Sequence, residues 1–258
     1  MIKFGQNFLK SKKTARKIVD IARIKPDDTV LEVGPGKGIL TEILLEKAKK
    51  VIAVEKDPAL VEYLHKKFKT HKKLELIESD ILKINVSSFK FKVTDYKIVS
   101  NLPYYITSHF LKTFLETDNQ PTTMTLTIQK EVAQRIVAKP PQMNLLSLSV
   151  QAYGTPKIAS FISKNEFSPV PKVDSAVLTI ENISKNFFNP SATSGQVSIN
   201  EHNFFNLLKK GFAHKRKLLL NNISCNISDF NECKLHPKIR AQELSLENWK
   251  DLYLKSLQ

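Results

Sequence analysis

The chain has 258 residues, of which 40 are Lys or Arg and 25 are Asp or Glu, for a formal net charge of +15. At 41% hydrophobic and 25% charged it has an ordinary globular composition, which excludes wholesale disorder, while 7 Gly and 12 Pro exclude a collagen-like or low-complexity chain. No apolar run approaches the roughly 18 residues that span a bilayer, no apolar signal core follows Lys3, and the two cysteines, Cys225 and Cys233, supply neither a disulfide framework nor a zinc site. The expectation is a soluble cytoplasmic chain with no membrane partner and no metal.

In chain order, residues 1–17 come first, with six basic side chains, Lys10, Lys12 and Lys13 among them, and no acid. Short apolar runs at 29–34, 51–55, 74–79, 97–101 and 124–128 predict strands buried on both faces. Helical patterns at 39–49, 58–69, 106–116 and 129–138 separate them, and that alternation predicts a doubly wound, mainly parallel α/β sheet of Rossmann-like type. Two further strand candidates, 157–163 and 175–181, flank the proline-rich turn Phe167-Ser168-Pro169-Val170-Pro171-Lys172. The polar stretch 183–200 reads as a linker, and helical patterns at 201–212, 214–223 and 245–257 follow it. The predicted organisation is therefore an α/β domain over 1–182, a linker over 183–200 and a small all-helical domain over 201–258.

The charge points to a polyanionic partner through counterion release at phosphates. Residues 65–73 hold five lysines, and 183–258 hold 11 basic against 6 acidic residues, so both parts of the chain are basic.

Three of the seven glycines fall in Glu32-Val33-Gly34-Pro35-Gly36-Lys37-Gly38, between a predicted strand and a predicted helix. Glycine permits a tight turn and lets backbone approach a ligand that a Cβ would repel, which singles out Gly34 and Gly36. Glu55 closes the next strand, where a carboxylate can accept from both hydroxyls of a ribose, and Asp80 closes the third, where an adenine amine would arrive. The G-x-G-x-G spacing departs from the dinucleotide fingerprint, which weakens an NAD-dependent oxidoreductase. The loop looks like that of S-adenosylmethionine methyltransferases.

The fourth strand runs into Asn101-Leu102-Pro103-Tyr104. An exocyclic adenine amine is a poor nucleophile, because its lone pair is delocalised into the ring. A site that methylates it must accept hydrogen bonds from the NH₂ and hold the ring flat. The Asn101 side-chain oxygen and the Leu102 carbonyl can accept, Pro103 fixes the turn, and Tyr104 offers a face to a base taken out of its stack.

Together, Phe4-Gly5-Gln6-Asn7-Phe8-Leu9, the glycine loop, Asn101-Leu102-Pro103-Tyr104, Phe167 through Ser175, and the late Gly211 through Asn222 resemble the signatures of the ribosomal RNA adenine N6-dimethyltransferases of the KsgA/RsmA type. The resemblance implies S-adenosylmethionine as cofactor. It places Asn7 and Leu9 against that cofactor, Gly34 at its methionine part, Glu55 at the ribose, Asp80 at the adenine, and Asn101 at both cofactor and target amine. Phe167 would face Tyr104 across the flipped base. The implied substrate is a pair of adjacent adenosines in the loop of the 3′-terminal hairpin of small-subunit RNA, free or in a pre-30S particle, with a role in subunit biogenesis and a monomeric enzyme.

RNA contacts are expected from Lys10, Lys12 and Lys13 and from His214, Lys215, Arg216 and Lys217. One departure stands at Pro140 to Val150, where the family's Tyr-Gly-Arg-Leu-Ser-Val-type stretch is replaced and a basic RNA contact is missing. Two rivals share the fold: the large-subunit adenine methyltransferase of the macrolide-resistance type, and a non-catalytic ribosome assembly factor.

Overall fold

The computed structural model describes residues 7–84, 95–190, 197–223 and 227–256, so Cys225 lies outside the described residues. The chain forms two compact units, one of 1–133 with 155–183 and the other of 134–154 with 184–258.

The first unit is built on a seven-stranded sheet. Its strands are β2 (Thr29–Val33), β3 (Lys50–Glu55), β4 (Leu74–Glu78), β5 (Tyr96–Asn101), β6 (Thr123–Gln129), β7 (Thr155–Ile162) and β9 (Ser175–Glu181), in the order β4-β3-β2-β5-β6-β9-β7. The pairs from β4 to β6 are parallel, whereas β9 runs antiparallel to both neighbours. The central strands are buried throughout: Val30, Leu31, Val51, Ile52, Ile98, Val99, Met124 and Leu126 are all 2% exposed or less. Such continuous apolar runs are what a sheet covered on both faces requires. The helices α2 (Ile39–Lys47), α3 (Pro58–Lys67) and α4 (Thr107–Glu116) connect successive parallel strands, and α5 (Lys130–Ile136) follows β6. The doubly wound fold expected of the sequence is therefore present. Its switch point falls between β2 and β5, the two strands that carry the glycine loop and the Asn101 turn.

Two elements were not foreseen. Helix α1 (Lys12–Ile21) is capped by Ser11, whose hydroxyl accepts from the Thr14 N–H, and buries Ala15, Ile18 and Val19 at helical spacing. A two-stranded ribbon joins β1 (Phe8–Leu9) to β8 (Phe167–Ser168), with Phe8 opposite Ser168 and Leu9 opposite Phe167.

The second unit is helical, and the structure moves its boundaries. Residues 134–154, expected within the α/β domain, belong to it: α6 (Leu145–Gln151) opens on a reciprocal Asn144–Ser147 cap, and the Met143 N–H donates to the Gln242 carbonyl at 2.9 Å. Nor does the described part of 183–200 behave as a linker. Phe188 and Ile199 are 1% and 3% exposed, and Phe188 packs 5.2 Å from the Tyr153 ring and 6.0 Å from Phe204. The polar residues around these anchors hid them.

Helix α7 (Glu201–Phe212), α8 (Ile227–Glu232) and α9 (Leu246–Lys255) complete the unit. The expected helix over 214–223 is absent: His214 to Arg216 form a turn, followed by a short 3-10 segment at Leu219–Asn221. The Asn222 side-chain amide donates to the carbonyls of Gly211 at 2.8 Å and His214 at 3.2 Å, which closes the end of α7 instead of prolonging it.

Gly211 lies inside α7, where a Cβ would stand 2.3 Å from Cη2 of the fully buried Trp249. Helix propensity favours alanine there by about 1 kcal/mol, but overpacking costs about 1–3 kcal/mol. Gly211→Ala should therefore lower the melting temperature in calorimetry despite the better helix former.

Candidate active site

The carboxyl ends of β2, β3, β4 and β5 lie side by side, and the loops that leave them line one pocket in the first unit. Its walls bring together residues singled out from distant parts of the sequence: Asn7 and Leu9, Gly34 and Gly36, Glu55, Asp80, and Asn101 through Tyr104.

The glycine loop turns through left-handed backbone, with φ of +66° at Gly34 and +58° at Gly36. A Cβ on Gly36 would approach the Phe8 ring to 2.8 Å, so this glycine is required both by its conformation and by the segment across from it. The loop is pinned from beneath by Glu55, which is 4% exposed. Its Oε2 accepts from the Gly36 N–H at 3.1 Å, and its Oε1 from the N–H groups of Lys56 and Asp57 at 2.9 and 3.0 Å. Burial pushes the Glu55 carboxyl above its ordinary range, and the three backbone donors pull it part of the way back.

Two further carboxyls have opposite characters. Asp80 accepts from the Leu82 N–H at 3.1 Å and pairs with Lys56 at 2.9 Å, and the Lys56 ammonium draws it below its ordinary range. Glu32, in the middle of β2 and 1% exposed, is pushed up to about 8 by burial, with Thr41 opposing and Glu55 reinforcing the shift. At neutral pH Glu32 is therefore a neutral acid, and its Oε2 has no hydrogen-bond partner. It also lines the pocket. Sequence reasoning noticed Glu32 only as part of the loop pattern; its burial in the sheet is what makes it a deep polar group of the site.

At the end of β5 the Asn101 side-chain amide donates to the Asn7 carbonyl at 3.1 Å, which leaves its Oδ1 as an acceptor. The Leu102 N–H is taken by the Thr127 carbonyl at 3.2 Å. Pro103 follows with φ −57°, and Tyr104 opens a 3-10 turn with its hydroxyl 2.7 Å from Ser175 Oγ. Burial holds the Tyr104 phenol above its ordinary range, so it is neutral at physiological pH.

Phe167, expected to face Tyr104 across a flipped base, is enclosed by the chain itself. It is 1% exposed, sits in the hydrophobic core with Leu9 and Val177, and does not line the pocket. Its pairing with Leu9 across the β1–β8 ribbon turns it inward. Lys10 and Lys13 are exposed, whereas Lys12 is bound to Glu42 at 2.5 Å. In the second unit His214, Lys215, Arg216 and Lys217 are all exposed. Among the described residues no group of three or more His, Cys, Asp or Glu could hold a metal ion, and no helix is long and apolar enough to cross a membrane.

The family model described as ribosomal RNA adenine dimethylase matches residues 1–256. The chain belongs to the ribosomal RNA adenine dimethylase family. It is 43% identical to a Dehalococcoides mccartyi protein named ribosomal RNA small subunit methyltransferase A, over 97% of this chain and 86% of the relative. Among solved structures, a dimethyladenosine transferase from Plasmodium falciparum superposes with a TM-score of 0.79 at 24% identity, covering 96% of each chain. The 23S rRNA methyltransferase ErmE superposes at 0.75 with 23% identity, covering 98% of this chain and 100% of that one. These two likenesses concern the fold. Family membership makes the chain an S-adenosylmethionine-dependent adenine dimethyltransferase.

The pocket fits that cofactor on its own evidence. The left-handed Gly36 turn brings backbone to the pocket wall, the Glu55 Oε2 accepts only one backbone N–H, and the buried Glu32 Oε2 has no hydrogen-bond partner.

The folded chain holds the Glu32 proton up to about pH 8, whereas an ordinary glutamate releases it near 4.5. The stabilisation from that proton is complete below 4.5 and is lost as pH rises through 8, amounting to at most about 5 kcal/mol. Melting temperature should accordingly fall between about pH 5 and 8 and level off above, and Glu32→Gln, which needs no proton, should flatten that slope.

Proposed function

We propose that the chain dimethylates N6 of two adjacent adenosines in the loop of the 3′-terminal hairpin of small-subunit ribosomal RNA, free or in a pre-30S particle, working as a cytoplasmic monomer. The observation that carries the chemistry is the Asn101 amide. Its nitrogen is committed to the Asn7 carbonyl, so its oxygen is the atom offered to a target amine.

In this reading S-adenosylmethionine, when bound, supplies an electrophilic methyl group. Glu55 would hold the ribose through the acceptor capacity left beside Gly36, Asp80 would take the adenine amine alongside Lys56, and Asn7, Leu9 and Gly34 would enclose the methionine part. Asn101 Oδ1 and the Leu102 carbonyl accept the two N–H bonds of the target amine and draw the nitrogen toward tetrahedral geometry, which localises its lone pair. Attack on the methyl carbon would break its bond to sulfur and leave the neutral thioether S-adenosylhomocysteine, while the alkylated nitrogen becomes acidic and its proton passes to water without a strong base. Tyr104 gives the extruded base its stacking face, with Phe167 supporting the neighbouring segment from the core. Lys10, Lys13 and the 214–217 group would contact RNA phosphates. The name of the Dehalococcoides relative supports the small-subunit substrate, and the basic surface supports an RNA.

Labelled S-adenosylmethionine and under-methylated ribosomal subunits test the reading, with label expected at adenine N6 in the 3′-terminal hairpin. Label in large-subunit RNA alone would overturn the substrate, and tight RNA binding without label would favour an assembly factor. Asn101→Ala should lower methyl transfer by about 100- to 1,000-fold, the size of losing one preorganised polar contact, with RNA affinity unchanged. Glu55→Ala should weaken cofactor binding by about 10- to 100-fold in equilibrium dialysis, as expected for hydrogen bonds to a charged group.

A further inference from the structure

Ser175 is the first residue of β9, a strand held between β6 and β7, where it stands opposite Gln129 on one side and Ile162 on the other. It is 0% exposed. A hydroxyl taken wholly out of water costs free energy unless it is hydrogen-bonded, and alanine would satisfy the packing and strand pairing at this position equally well. Among the described residues the Ser175 hydroxyl has one side-chain partner, the Tyr104 phenol oxygen at 2.7 Å, and either group can donate.

Tyr104 is thereby gripped at both ends. Its backbone belongs to a 3-10 turn in which the Ile106 N–H donates to the Pro103 carbonyl at 3.2 Å and the Thr107 hydroxyl to the Tyr104 carbonyl at 3.2 Å. Its tip is tied to the sheet. The segment leading to Ser175 is itself anchored, because Asp174 accepts from the Lys130 N–H through its carbonyl and from the Lys164 N–H through its carboxylate, both at 3.0 Å. A tyrosine held by its backbone alone can swing about two torsions; a hydrogen bond at the hydroxyl fixes the direction of the ring axis, and the preference of a phenol O–H for a partner near the ring plane biases its rotation.

We propose that Ser175 is a positioning residue for the transfer step, fixing the axis of the Tyr104 ring on which the target adenine stacks. The proposal rests on the stacking role given to Tyr104 above. Ser175 itself touches neither base nor cofactor, and it acts through the phenol tip of Tyr104.

Three variants test it: Ser175→Ala, Tyr104→Phe, which keeps the ring and loses the tether, and the two combined. Each single change should lower kcat on the under-methylated small subunit by about 3- to 10-fold, the scale of one hydrogen bond, with the cofactor dissociation constant unchanged. The double variant should fall no further, because both changes break the same link. An unchanged kcat accompanied by a lower melting temperature, or losses that multiply in the double variant, would overturn the positioning role.

NMR of ¹³C-labelled tyrosine supplies a readout independent of turnover. In Ser175→Ala the Tyr104 ring signals should shift and report greater mobility, and unchanged signals would overturn the proposal. A parent protein that transfers no methyl group while Tyr104 responds to Ser175→Ala would instead count against the enzymatic reading and leave the tether standing.

Discussion

The site depends on one topological constraint, the reversal of strand order between β2 and β5. From β2 the sheet grows one way through β3 and β4, and from β5 the other way through β6 and beyond. Because these strands are parallel, every loop leaving their carboxyl ends emerges on the same edge. The crossover helices diverge at the reversal and leave a crevice there. The glycine turn after β2 and the Asn-Leu-Pro-Tyr turn after β5 are thereby neighbours, with the Pro103 ring 3.8 Å from the place a Cβ on Gly34 would occupy. The Ser100 hydroxyl donates to the Val33 carbonyl at 2.5 Å, a second tie between the two strand ends. The glycine turn and the Asn-Leu-Pro-Tyr turn are in register because their strands are.

On that frame three carboxyl groups sit within one pocket in different states, and the protein surroundings decide each one. Glu32 lies inside the sheet, where burial outweighs what Thr41 and Lys67 offer, and keeps its proton at neutral pH. Glu55 is also buried, yet three backbone N–H groups converge on it, so it holds the loop. Asp80, nearer the rim, is kept ionised by Lys56. A deep neutral acid, a middle acceptor tied to backbone and an outer anion form a graded lining for a ligand that is itself part cationic and part nucleoside.

Most of this was legible in the sequence wherever a signal was local. Central strands are apolar because both faces are covered, so their positions were within a residue or two of the observed ones. Gly34, Gly36, Glu55, Asp80 and Asn101 could be placed because each ends or follows such a strand. What escaped depends on distant pairing. Two-residue strands such as Phe8–Leu9 have no periodicity to detect and exist only because Phe167–Ser168 lies opposite. That same pairing buries Phe167, which the sequence shows only as the head of a proline-rich turn. Helix α1 does carry a periodic stripe at Ala15, Ile18 and Val19, but six basic residues in that region drew the reading toward charge. The aromatic anchor Phe188 is hidden in the same way among asparagines and serines.

The basic charge separates into two kinds once the ion pairs are placed. On α1 part of it is spent within the fold: Lys12 meets Glu42 and Arg16 meets Glu46, while Asp20 takes Lys47 of α2, so this helix faces α2 through three ion pairs. All three are at least one-third exposed and contribute little to stability, about 0–1 kcal/mol each. Their effect is on the surface potential, which they cancel locally. Lys10 and Lys13 precede or bypass these pairs, and Lys215, Arg216 and Lys217 are exposed at the turn after α7. A phosphate backbone rewards uncompensated positive charge, since each cation that replaces a condensed counterion releases it to solution. A net charge of +15 is therefore a poor guide to an RNA footprint by itself, and the cations not already answered by a neighbouring acid are the better one.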